Sequence, residues 1–149
     1  MRETLFNWLG QDLTGRTCLD LFAGSGALGF EAASRGAKRV VMVERDPATF
    51  RALQASRTAL AADAVELKRA DALEFLRADA GLYDIVFLDP PFKADYLPRI
   101  WALLPRHLAA EALVYCESGQ RPAAPAGWEI CKQSRAGQVL YQLLKRIPT

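Results

Sequence analysis

With 149 residues and 16.4 kDa, the chain is about one domain long on the usual scale of roughly 100–200 residues per domain, so two catalytic domains are excluded. Its composition, 51% apolar and 24% charged, is that of a folded chain, and a net charge of +2 is far from the strongly basic balance of many nucleic-acid binders. No apolar run approaches the roughly 18–20 residues that span a bilayer and the N-terminus lacks a signal peptide's pattern, so a cytoplasmic protein with no membrane partner is expected.

The elements then follow in order. Residues 2–13 read as a helix with Leu5, Phe6, Trp8, Leu9 and Leu13 as its apolar stripe. Thr17 to Phe22 is a buried strand that runs into glycines, and Gly26 to Ser34 is a helix stopped by Gly36. Arg39 to Val43 is a strand closed by Glu44, and Pro47 opens a helix that reaches about Ala62. Val65 to Lys68 is a short strand, Ala72 to Arg77 a short helix and Tyr83 to Leu88 an apolar strand. Asp95 to Leu104 is a helix and Ala112 to Cys116 a fifth strand; Trp128 to Ser134 and Gln138 to Lys145 form a hairpin around Ala136 and Gly137. This alternation predicts a Rossmann-like α/β domain over residues 1–149, an N-terminal helix (1–13) followed by a core (14–149), whose seven-stranded, mostly parallel sheet ends in an antiparallel hairpin. Cys18, Cys116 and Cys131 have no metal-ligand spacing and are expected to be reduced core residues. His107, the only histidine, is expected to be structural.

Gly24-Ser25-Gly26-Ala27-Leu28-Gly29 is a GxGxxG pattern between a strand and a helix, the context in which it signals a nucleotide-type ligand. In dinucleotide folds the helix N-terminus faces a pyrophosphate. Here Asp20 lies four residues before Gly24. A carboxylate there repels a pyrophosphate and suits an ammonium group, which S-adenosylmethionine carries, with a sulfonium and no phosphate. Asp20 could instead cap nearby backbone N–H groups. Glu44 ends the next strand at the position where an acid accepts from ribose hydroxyls, and Asp71 follows the third strand within reach of an adenine amine. Either could also be a helix N-cap.

Asp89-Pro90-Pro91-Phe92 ends the fourth strand. Two prolines remove two N–H donors, so the turn offers acceptors only, the Asp89 carboxylate and the Pro90 carbonyl. Such a pair can take both N–H donors of a nucleobase amine and turn its nitrogen toward an electrophilic methyl, while Phe92 offers a stacking face. Enzymes of this kind act on an unpaired base or draw it out of its stack.

Arg2-Glu3-Thr4-Leu5-Phe6-Asn7-Trp8-Leu9, the stretch from Leu19 to Ala32 and Leu88 to Phe92 together closely resemble the RsmD-type methyltransferases, over essentially the whole chain. That family methylates the N2 amine of a guanine in small-subunit (16S) ribosomal RNA, using S-adenosylmethionine and yielding S-adenosylhomocysteine, without a metal. The resemblance implies that Asp20, Gly24, Gly26, Glu44 and Asp71, with their neighbours Phe22, Ser25, Arg45 and Ala72, hold the cofactor. It implies that Asp89, Pro90 and Phe92, with Pro91 between them, hold the amine. The implied partner is ribosomal RNA or a partly assembled small subunit, met by a monomer. Members usually carry a basic, Arg- and Gly-rich segment before the Arg2 block, so RNA affinity is expected to be weak in this chain and the cofactor crevice intact. Lys93, Arg135 and other basic residues toward the chain's end are candidates for phosphate contacts. The rivals are an adenine-N6 methyltransferase of DNA or RNA, an NAD-dependent oxidoreductase, and a non-catalytic RNA-binding or ribosome-assembly module.

Overall fold

Alternate residues along each central strand face opposite ways, and both faces are apolar, which requires helices on both sides of the sheet. The computed structural model describes residues 2–89, 96–118 and 126–147. The strands are β1 (Thr17–Asp20), β2 (Arg39–Glu44), β3 (Val65–Arg69), β4 (Tyr83–Leu88), β5 (Leu108–Ser118), β6 (Trp128–Ala136) and β7 (Val139–Arg146). They form one sheet in the order β3-β2-β1-β4-β5-β7-β6, parallel from β3 to β5 and antiparallel at β5–β7 and β7–β6. The predicted class and terminal hairpin are both present. The strand order reverses between β1 and β4, and that switch point is where open α/β sheets bind ligands.

Helices α1 (Arg2–Leu9), α2 (Ala27–Ser34) and α3 (Pro47–Ala59) cover one face. Phe6, Ala32 and Leu53 meet Cys18, Val40, Met42, Phe87 and Tyr115 there. Helices α4 (Ala72–Ala78) and α5 (Tyr96–Leu103) cover the other, with Leu73, Leu76, Ile100 and Trp101 against Leu19, Val41, Val86 and Val114.

Several boundaries differ from the sequence expectation. The first helix ends at Leu9 and not at residue 13, because Gly10 takes φ +95°, outside helical space. Leu13 is nevertheless fully buried, with its N–H on the Arg35 carbonyl at 2.9 Å. Strand β1 stops at Asp20, and α3 stops at Ala59. Strand β5 is much longer than Ala112 to Cys116: it begins at Leu108 and is bent at Glu111, where φ is +65°. Cys18 and Cys116 are buried as expected, but Cys131 is exposed because the edge strand β6 turns most of its residues to solvent.

His107 is structural, as expected. It is 1% exposed, and its two ring nitrogens face the carbonyls of Leu76 (2.8 Å) and Gly81 (3.2 Å), tying the 3-10 turn Leu104–His107 to α4 and to the loop before β4. Truncation would orphan both carbonyls and leave a void, so His107→Ala is expected to cost about 2–4 kcal/mol, read as a lower urea midpoint at unchanged m-value.

Candidate functional site

The β1–α2 turn is stitched to the strands on either side of β1. The Leu21 N–H donates to the Phe87 carbonyl of β4 at 3.3 Å, and the Ala23 N–H to the Val43 carbonyl of β2 at 3.0 Å. The turn closes through the Gly26 N–H on the Ala23 carbonyl at 2.8 Å. Gly26 has φ +85°, and a Cβ built on it would lie 2.5 Å from the Phe30 ring and 2.8 Å from Leu53. Gly29 allows α2 to lie against β2, since a Cβ there would meet Met42 at 2.7 Å. The glycine pattern therefore shapes the turn and seats the helix that follows it.

Asp20 lies beneath this turn. It is 2% exposed, and its carboxylate accepts from the Phe22 and Gly29 N–H groups. Burial pushes its pKa up to about 7 against the pull of those two donors. It is not among the residues that line the adjoining cavity, so the expected direct meeting with an ammonium group gives way to the backbone-capping role.

Glu44, at the end of β2, holds the turn from the other side. One oxygen accepts from the Gly24 N–H and the other from the Asp46 N–H, each at 3.0 Å. A carboxylate has about four acceptor directions, so two remain for hydroxyl donors. Asp71 caps α4 by accepting from the Leu73 N–H at 3.0 Å, while its second oxygen lies 3.7 Å from the Arg45 guanidinium. The N-cap reading of Asp71 and its place in the site thus hold together.

These groups wall a cavity of about 670 Å³ at the carboxyl ends of β1, β2, β3 and β4. Phe22, Gly24, Glu44, Arg45, Asp71, Ala72 and Asp89 line it, as do Leu21, Val43, Asp46 and Ala70. Ser25 is exposed and Gly26 buried in the turn, and neither lines the cavity. Pro90, Pro91 and Phe92, and Lys93 after them, lie outside the described residues. Asp46 was missed from the sequence, although an Asp directly before Pro47 is an N-cap signal; it accepts from the Thr49 N–H at 2.9 Å. Glu117, at the end of β5, was missed as well: its carboxyl is hydrogen-bonded to that of Asp89 and accepts from the Tyr115 hydroxyl at 2.6 Å.

The donor set discriminates between ligands. Four carboxylates reach the cavity wall, and among the described lining residues Arg45 is the one cation, already beside Asp71. A pyrophosphate would meet net repulsion there, which disfavours the dinucleotide rival. A ligand with ribose hydroxyls, an adenine, a positive charge and no phosphate fits, and the volume lies within the usual range for small-molecule sites. Among the described residues no group of His, Cys, Asp and Glu is placed to hold a metal ion. Replacing Glu44 by glutamine keeps the shape but removes one charged acceptor. Glu44→Gln is expected to weaken S-adenosylhomocysteine binding by about 10- to 100-fold, measured by calorimetric titration. A change below twofold would remove Glu44 from the cofactor's contacts.

Comparison with known proteins places this geometry among methyltransferases. A family described as "Conserved hypothetical protein 95" matches residues 1–145. The ribosomal RNA small subunit methyltransferase D of Escherichia coli K12 is 41% identical over 98% of the chain and 76% of that protein. The protein of the same name from Haemophilus influenzae is 37% identical over 96% of the chain and 78% of its own length. A solved structure described as a putative methyltransferase, yhhF, from Escherichia coli superposes with a TM-score of 0.90 at 42% identity, covering 99% of this chain and 86% of that one.

Proposed function

Since the chain belongs to the RsmD family of methyltransferases and has the class I methyltransferase fold, we propose that it transfers a methyl group from S-adenosylmethionine to the N2 amine of a guanine in small-subunit ribosomal RNA. The observation that carries this reading is one cavity, walled at one end by the Glu44-tied glycine turn and reaching Asp89, the last described residue before the two prolines, at the other.

In this reading Glu44 and Asp71 hold the cofactor's hydroxyl and amine donors, and the turn's backbone approaches it closely because Gly24 carries no side chain. Bound S-adenosylmethionine supplies an electrophilic methyl group on a sulfonium. Asp89 accepts N–H donors of the target amine and turns its nitrogen toward that methyl, so the rate arises mainly from positioning. A base held by its edge in this way must be unpaired or drawn out of its stack. Cytoplasmic location and monomeric action accord with a ribosomal RNA substrate; among the described residues no helix is long and apolar enough to cross a membrane.

The test is methyl transfer from labelled S-adenosylmethionine to small-subunit RNA, free and partly assembled, with the product nucleoside identified by mass spectrometry. N2-methylguanosine is expected. N6-methyladenosine would replace the guanine reading with the adenine one. Tight cofactor binding without transfer to either substrate would favour the non-catalytic assembly module.

A further inference from the structure

Leu88 of β4 pairs with Cys116 of β5, so the next residues along these parallel strands, Asp89 and Glu117, are neighbours. They share the parity of Phe87 and Tyr115, which lie on the α1–α3 side of the sheet, and their carboxyls are hydrogen-bonded to each other. The Tyr115 hydroxyl donates to Glu117 at 2.6 Å and aims that carboxyl. The other titratable groups facing the pair are Asp20 on β1, Cys116 on β5 and, beside Tyr115, Tyr141 on β7. None is a cation. Two carboxyls in contact, with a third nearby, cannot both be ionised at little cost, and a hydrogen bond between them requires a proton.

We propose that Glu117, aimed by Tyr115, is a positioning residue for methyl transfer: it shares one proton with Asp89 and thereby makes Asp89 a stronger proton acceptor for the target amine. The proposal rests on the reading of Asp89 as the amine's acceptor. The amine nitrogen forms its bond to the methyl carbon as the carbon–sulfur bond breaks onto sulfur. One N–H bond then breaks, its electron pair stays on nitrogen, and the proton passes to an Asp89 oxygen. The pair, now holding two protons, returns one to solvent before the next turnover. Burial and the Glu117 contact raise the Asp89 pKa in the direction this role needs.

The test compares wild type, Glu117→Gln and Tyr115→Phe in two ways. Carboxyl ¹³C resonances of the ligand-free chain are titrated first. In the wild type Asp89 is expected to titrate well above the ordinary carboxylate range in a coupled two-step curve, and in Glu117→Gln in a single step at least one pH unit lower. An ordinary, uncoupled Asp89 curve in the wild type would overturn the proposal. The pH dependence of kcat is then measured. Glu117→Gln is expected to move the acid limb down by about one unit and to lower the plateau about tenfold, with KM for RNA within about threefold. Tyr115→Phe, which keeps the ring and removes the donor to Glu117, should move the limb up by about half a unit. A limb that stays in place in both variants overturns the proposal. If the wild type methylates no RNA, the proposed function fails, and the carboxyl titration still decides whether the pair shares a proton.

Discussion

Asp89→Ala is expected to lower the rate of methyl transfer by about 100- to 1000-fold while changing S-adenosylhomocysteine affinity by no more than a few-fold. The magnitude follows from other enzymes in which one preorganised group that hydrogen-bonds the reacting centre has been removed. Alanine leaves the amine without its charged acceptor. Asp89→Asn retains an acceptor oxygen and should lose less, about tenfold. The pH dependence separates the two effects. Burial, the hydrogen bond with Glu117 and the charges of Glu117 and Asp20 raise the Asp89 pKa to about 7, and only the ionised form accepts on both oxygens. Activity should therefore rise with pH through about 7 in the wild type, and Asp89→Asn should lack this limb. Equal single-turnover rates for wild type and Asp89→Ala would remove Asp89 from the mechanism.

Gly26→Ala should be the most damaging single change to the cofactor site. Any side chain at φ +85° is strained by about 1–2 kcal/mol, and the added methyl would meet the Phe30 ring at 2.5 Å and Leu53 at 2.8 Å. Leu53 is 1% exposed, so the crowding would displace α3 as well as the turn. Overpacking of this kind typically costs about 1–3 kcal/mol more, giving roughly 2–5 kcal/mol in total. Urea denaturation should show that loss, and calorimetry should show cofactor binding weakened by at least about tenfold. Gly24→Ala is the contrasting control: a Cβ there meets nothing within 4 Å, so its stability loss should be confined to backbone strain. Equal urea midpoints for the two variants would contradict the packing argument.

The alternation of β-branched runs with amphipathic segments made the α/β class legible, because burial on both faces leaves a continuous apolar signature that turn residues then punctuate. Tyr83 to Leu88 matched its strand to the residue, being closed at both ends by residues unsuited to a sheet interior. Boundaries failed where backbone conformation outweighed side-chain pattern. Leu13 continued the stripe of α1, yet Gly10 had already ended the helix. The start of β5 depends on pairing with Tyr83, which local propensity does not encode.

In the site, Gly24, Glu44, Asp71 and Asp89 were readable because each ends a strand and has a chemistry rare at buried strand ends. Asp20 was recognised by type but not by orientation. Its parity and burial turn the carboxylate under the turn, where the Phe22 and Gly29 N–H groups take it. Glu117 carries no local signal at all: it closes a fifth strand like many solvated acids.

The sequence by itself determined the fold class, the glycine turn, the strand-end acids and the family, since these depend on periodicity, conformational tolerance and residue chemistry along the chain. Only the tertiary structure decided which acids face the cavity and which face the backbone, and it alone brought Glu117 beside Asp89 across 28 residues. The physical reason is that parallel pairing is set by long-range packing of both sheet faces. Two carboxyls on different strands become one proton-sharing pair only once β4 and β5 are in register.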